Sequence, residues 1–198
     1  ALTKPFSATE LADVLRTNRD DDPWLTVASF SAAMNREEFY LLYQPKVDLR
    51  SGRISGVEAL VRWLHPRRGV IAPLEFIPFA ESSACIDRMT QWLGETACGQ
   101  LREWDTRGCH IGLAINVSAR NLHEPRLADQ LETQCRKAGI APSRITLELT
   151  ETAAMRDAVH MMDMLTRLRV KGFSLAIDDF GTGYSSLLQL HRLPFSEI

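Results

Sequence analysis

Apolar residues along this chain fall into two alternating patterns. Short runs rich in Ile, Leu and Val at residues 54–61, 111–117, 145–149 and 173–177 predict β-strands. A further strand is predicted over 39–47, with Gln44-Pro45 inside it. Helical patterns lie before and between the strands, at 29–35, 125–138, 156–170 and 185–192. The region 73–104 is long enough for two helices, with the break at 80–83. Near the start, Ser7-Ala8-Thr9-Glu10 has capping-box spacing, and Leu11, Val14 and Leu15 give the following helix an apolar face. Residues 18–23, with Asp20-Asp21-Asp22, break that helix and read as a linker. Strands alternating with helices build a parallel sheet, often closed into a barrel. The turn at 48–52 is too short for a crossover, so 39–47 and 54–61 are predicted to form an antiparallel hairpin. That is an unusual start for a parallel barrel. Residues 193–198 read as the approach to another strand.

Composition narrows the class without naming it. The chain has 198 residues, a net charge of −2 and a pI of about 6.2. One domain with a sizeable core is expected, and a broad surface for a nucleic-acid polymer is not. Arg62, His65, Arg67 and Arg68 form a small local basic cluster. The four cysteines, Cys85, Cys98, Cys109 and Cys135, have no CxxC pairing and read as reduced, mostly buried thiols. With no signal peptide and no apolar run long enough for a membrane segment, a cytoplasmic location is expected. Because the chain opens on Ala1, a processed chain or a piece of a longer one is expected.

Candidate chemistry gathers at strand ends. Glu58, Asn116, Glu148, Asp178 and Asp179 each lie at or near the C-terminal end of a predicted strand. In barrels of this type that rim carries the chemistry. Hard oxygen donors from four strands suit Mg²⁺ or Mn²⁺, and a pair of such ions is a common way to cleave a phosphodiester. Plainer readings exist for each residue. Asp178-Asp179 taken alone is a turn or helix cap, Glu58 an exposed strand residue, and Asn116 a turn cap with Ser118. Glu148 and Glu151 taken alone read as a solvated helix start, and Arg62 as the partner of a carboxylate. His65, His123 and His191 have no ligand spacing and read as surface or packing residues. Met155, Met161, Met162 and Met164 read as helix core.

The motifs taken together resemble those of EAL domains, the bacterial cyclic di-GMP phosphodiesterases. The resemblance rests on Tyr43-Gln44-Pro45, Glu58-Ala59-Leu60 within residues 56–63, Glu75-Phe76-Ile77-Pro78 and Asn116-Val117-Ser118. It continues through Glu148-Leu149-Thr150-Glu151 and the run from Asp178-Asp179 to Ser186, and covers roughly residues 37–198. It implies an α/β fold, a modified (β/α)₈ TIM-like barrel with an antiparallel first strand, here truncated before the last strands. It implies a two-metal site for Mg²⁺ or Mn²⁺, with Glu58, Asn116, Glu148 and Asp178 on one ion and Asp178, with Asp179 beside it, at the second. The expected catalytic set is Glu58, Asp178, Asp179 and Glu151, with Glu151 steadying the loop after Asp179. Gln44 and Arg62 are expected to contact substrate. An arginine can hold a phosphate through two N–H groups, which a lysine cannot. Gly181 and Gly183 allow that loop unusual backbone angles.

The resemblance also sets expectations for the whole protein. The parent protein is expected to hydrolyse cyclic di-GMP to linear pGpG. The alternatives are a non-catalytic cyclic di-GMP receptor and a response-regulator output module. Leu2-Thr3-Lys4-Pro5-Phe6-Ser7 and the helix after it resemble the end of a receiver domain. The expected organisation is a receiver remnant at 1–17, a linker at 18–28 and the N-terminal part of an EAL domain at 29–198. A sensor kinase acting through the receiver and a homo-oligomer are the expected partners. In the family, a lysine in the next strand and a later glutamate complete the site. Both positions would fall beyond Ile198, so these 198 residues alone are expected to be inactive.

Overall fold

Thr26 opens the first helix because its hydroxyl accepts from the Ser29 amide while the Ser29 hydroxyl accepts from the Thr26 amide, at 3.1 and 2.8 Å. The helix, α1 (Val27–Asn35), therefore starts two residues before the predicted 29. The structure is a computed structural model, and it describes residues 24–150, 158–178 and 194–195, with side chains of the last helix from Met161 onward. The receiver-like segment, the predicted helix at 185–192, Met155, His191, Glu151, Asp179, Gly181 and Gly183 lie outside the described residues.

Strand β1 (Phe39–Val47) and strand β2 (Ile54–His65) form the expected antiparallel hairpin. Asp48 closes its turn by accepting from the amides of Arg50 and Ser51, and Gly52 adopts φ +65. Pro45 sits within β1, which the sheet tolerates because β1 lies at one end of the strand order. β2 runs four residues past the predicted end at 61. Arg62 and His65 interrupt the apolar run there, but pairing with β1 and with a short strand, β3 (Gly69–Ile71), keeps the backbone extended.

Two helices follow, α2 (Pro73–Ser82) and α3 (Cys85–Thr106). They are separated at Ser83 and Ala84, overlapping the end of the predicted break, and Ala84 holds a left-handed φ of 58. Next come β4 (Gly112–Asn116), a 3₁₀ turn (Ala119–His123), α4 (Leu127–Ala138), β5 (Ile145–Thr150), α5 (Ala158–Val170) and β6 (Ser174–Asp178). Gly139 ends α4 at φ +71. β2, β4, β5 and β6 are parallel neighbours, so the described sheet runs β1-β2-β4-β5-β6 with β3 on the far part of β2.

Strand alternation divides this sheet into two faces. Odd-numbered residues, among them Val57, Ala59, Leu113, Ile115, Leu147, Leu149 and Leu175, pack under Leu93, Leu101, Leu131, Met161 and Leu165 from the helices. Each fully buried side chain of that size contributes about 1.5–3 kcal/mol. Of the methionines expected in the core, Met161 and Met164 are buried and Met162 is partly buried against them. A second core, built on Phe30, Phe39, Trp63 and Phe76, closes the hairpin end beneath α1, α2 and the start of α3. His65 belongs to it, edge-on to Trp24 and Trp63, so it packs rather than ligates. Cys85, Cys98 and Cys135 are buried thiols, whereas Cys109 is exposed.

Candidate active site

The even-numbered face, turned away from those helices, carries the predicted chemistry. Gln44, Glu58, Asn116, Glu148 and Asp178 all have this parity. Their register fixes their arrangement. Gln44 stands opposite Glu58, and Glu58 is level with Ala114. Asn116, two residues further along β4, is level with Glu148, and Asp178, two residues beyond Ala176, is level with Thr150. In tilted strands of a barrel, such a stepwise stagger brings side chains to one height around the rim. Ala114 and Ala176 are small, so they leave room beside Glu58 and Glu148.

Glu58 corrects one expectation. It lies within β2 rather than at its end, because β2 continues to His65. The parallel pairing of β2 with β4 nevertheless stops at Ala59. Glu58 therefore marks the end of the parallel part of its strand, and the remainder of β2 rises above the rim as a hairpin wall.

Hydrogen bonds tie these groups together. Asn116 Nδ2 donates to Glu58 Oε1 at 2.8 Å, which leaves Oδ1 as the amide atom able to offer itself to a cation. Asn116 is not a turn cap. Ser118 does that work, accepting from the Arg120 amide. The segment after Asn116 is anchored from behind by Asn121, which is buried. Its oxygen accepts from the Ser118 amide and the Thr90 hydroxyl, and its Nδ2 donates to Asp87. Ser118 also donates to Glu81 at 2.7 Å, fixing the segment to the end of α2.

Glu148 is 6% exposed and forms an ion pair with Lys46. Burial pushes the Glu148 carboxyl above its ordinary range. Lys46 opposes that shift, and the charges of Glu58 and Asp178 add to it. The net upward direction means that one lysine does not offset burial plus two neighbouring carboxylates. Such a site has a deficit of positive charge, which a divalent ion fits in kind. Among the described residues no three acidic, histidine or cysteine side chains yet converge as a ligand group. Glu58 is turned to Asn116 and Glu148 to Lys46.

The substrate candidates flank these groups. Gln44 is exposed beside Glu58. Arg62 is half-buried on the hairpin wall and donates from one terminal nitrogen to Val61 O at 2.8 Å, so it is held by its own strand rather than by a carboxylate. Sequence reasoning missed Lys46. Its signal was its place two residues after Gln44, hence on the same face of β1.

Fold and site together define an open α/β sheet of barrel type, with acidic oxygen donors at the C-terminal rim of its parallel strands. A sequence profile of the EAL domain matches residues 27–198, and the chain belongs to that family. It is 41% identical over 173 residues to the cyclic di-GMP phosphodiesterase PA2567 of Pseudomonas aeruginosa, covering 87% of this chain and 30% of that protein. It is 42% identical over 167 residues to MucR of the same organism, a bifunctional diguanylate cyclase/cyclic di-GMP phosphodiesterase, covering 84% of this chain and 24% of that protein. Among solved structures, the MucR phosphodiesterase in complex with cyclic di-GMP superposes with a TM-score of 0.81 at 41% identity, over 86% of this chain and 70% of that one. The chain thus spans less than a third of the length of these curated relatives.

Proposed function

We propose that the full-length protein hydrolyses cyclic di-GMP to linear pGpG with Mg²⁺ or Mn²⁺. The observation that carries this reading is the single rim shared by Glu58, Asn116, Glu148 and Asp178, in a chain of the EAL family. These four residues would hold one ion, and Asp178 with Asp179 would reach a second. Bound divalent ions supply charge neutralisation at the phosphodiester and ease deprotonation of the attacking water.

The chain's own residues do the rest. Arg62 and Gln44 bind and orient the substrate at the wall beside Glu58. Asn116 holds Glu58 in place through its amide nitrogen, adding no negative charge where a phosphate must approach. Glu151 would steady the loop after Asp179. Water adds its oxygen to phosphorus as the P–O3′ bond breaks, which leaves a 5′-phosphate and a protonated 3′-hydroxyl. Among the described residues no helix is long and apolar enough to cross a membrane. A cytoplasmic enzyme is the reading that free cysteines and a nucleotide substrate favour.

The test is to incubate purified full-length protein with cyclic di-GMP and Mn²⁺ and follow pGpG by ion-exchange chromatography. Multiple turnovers are expected. Tight binding without product would contradict the enzyme reading and favour a receptor. The receiver-like start, Lys4-Pro5, adds a regulatory proposal: phosphorylation of a receiver in the full-length protein changes the turnover rate. Equal rates with and without beryllium fluoride, a phosphoryl mimic, would remove it.

A further inference from the structure

The Lys46–Glu148 pair is not explained by substrate chemistry or by folding alone. Lys46 lies on β1 and Glu148 on β5, and β2 and β4 stand between them in the sheet. At the level of Lys46 the two intervening strands carry Gly56, its register partner, and Gly112, the partner of Gly56, whereas Glu148 is level with Asn116, two steps further along the same face. The two glycines place no side chain beside the start of the lysine stem. A Cβ on Gly56 would lie 3.0 Å from the Gly112 carbonyl oxygen, so Gly56 cannot readily gain one. The lysine stem thus leaves its strand beside two glycines and reaches obliquely to Glu148, the buried carboxylate of the rim.

We propose that Lys46 is a built-in counter-ion of the cation site. Its ammonium holds Glu148 while no ion is bound and must leave before an ion can be coordinated there. This inference rests on the metal-dependent reading above. One observation supports it besides the ion pair itself. The Lys46 side chain is 38% exposed against 7% for Glu148, so water is open to it on release.

The consequence is a trade. Lys46 keeps the metal-free rim from flying apart by mutual repulsion, and weakens the site's hold on an ion. A single positive charge about 6 Å from a divalent ion in near-aqueous dielectric corresponds to roughly a tenfold loss of affinity. Lys46 thereby tunes the site to the cation concentration around it, in place of permanent loading.

The test is calorimetric titration of Mn²⁺ into metal-stripped full-length protein, as wild type, Lys46→Met, Lys46→Gln and Lys46→Arg. The methionine and glutamine variants should bind Mn²⁺ about tenfold more tightly, with the arginine variant close to wild type. In chelator the methionine variant should melt below wild type, and Mn²⁺ should raise its Tm more. If it does not fold without metal, the glutamine variant supplies the affinity. Neutral variants that bind Mn²⁺ equally or less tightly than a Mn²⁺-binding wild type overturn the counter-ion role alone. A wild type that binds no Mn²⁺ overturns the metal-dependent reading, and this one with it.

Discussion

Glu58 on the rim and Arg62 on the hairpin wall are the two residues whose proposed roles separate metal chemistry from substrate binding. Glu58 accepts from Asn116 and stands opposite Gln44. Removing its carboxylate takes away a proposed ligand and leaves Asn116 without its orienting partner. Glu58→Ala in the full-length protein is predicted to lower kcat by two to three orders of magnitude or more, an ordinary loss for a group of this kind. Steady-state assay at saturating Mn²⁺ checks it, and a near-wild-type rate would mean the ligand assignment is wrong. Arg62 should behave differently. One of its nitrogens is spent on Val61 O, and the remaining N–H donors are enough to hold a phosphate. Arg62→Ala is predicted to raise KM about tenfold or more, the worth of a charge-assisted hydrogen bond, with Mn²⁺ affinity little changed. A variant that loses Mn²⁺ and keeps its KM would make Arg62 structural.

At the scale of elements, the sheet is positioned by how closely α3 and α4 approach. Gly94 of α3 faces Leu131 and Gln134 of α4, and a Cβ there would lie 2.8 Å from Leu131 Cδ2 and 2.3 Å from Gln134 Oε1. Gln134 can move aside, but Leu131 is buried. Gly94→Ala gains about 1 kcal/mol in helix propensity and loses about 1–3 kcal/mol to overpacking. A net destabilisation of about 1 kcal/mol is predicted, read from denaturant midpoints, and a stabilised variant would refute the packing. The same scale explains what the sequence could tell. Strands and helices of strong period were legible, as was the antiparallel hairpin, since the turn from Asp48 to Gly52 admits nothing else. The extension of β2, the strand β3 and the left-handed Ala84 were not, because each depends on a neighbour rather than on local pattern. Arg62 to His65 stay extended only because β1 and β3 pair with them. The proposed ligands Glu58, Asn116, Glu148 and Asp178 could be picked out as polar residues in apolar runs. Lys46 shares a face with Gln44, but its pairing with Glu148 appears only when β1 and β5 are placed on one sheet.

At the scale of the whole molecule, the described sheet is open, with β1 and β6 at the ends of its strand order. The central claim is that cation-dependent hydrolysis of cyclic di-GMP runs through the rim of Glu58, Asn116, Glu148 and Asp178. Its most direct measurement is pGpG formation by full-length protein after exhaustive chelation, then after return of Mn²⁺, Mg²⁺ or Ca²⁺. The account predicts no product in chelator, recovery with Mn²⁺ or Mg²⁺, and inhibition by Ca²⁺, whose larger and looser shell suits this rim poorly. Undiminished turnover in chelator would contradict it.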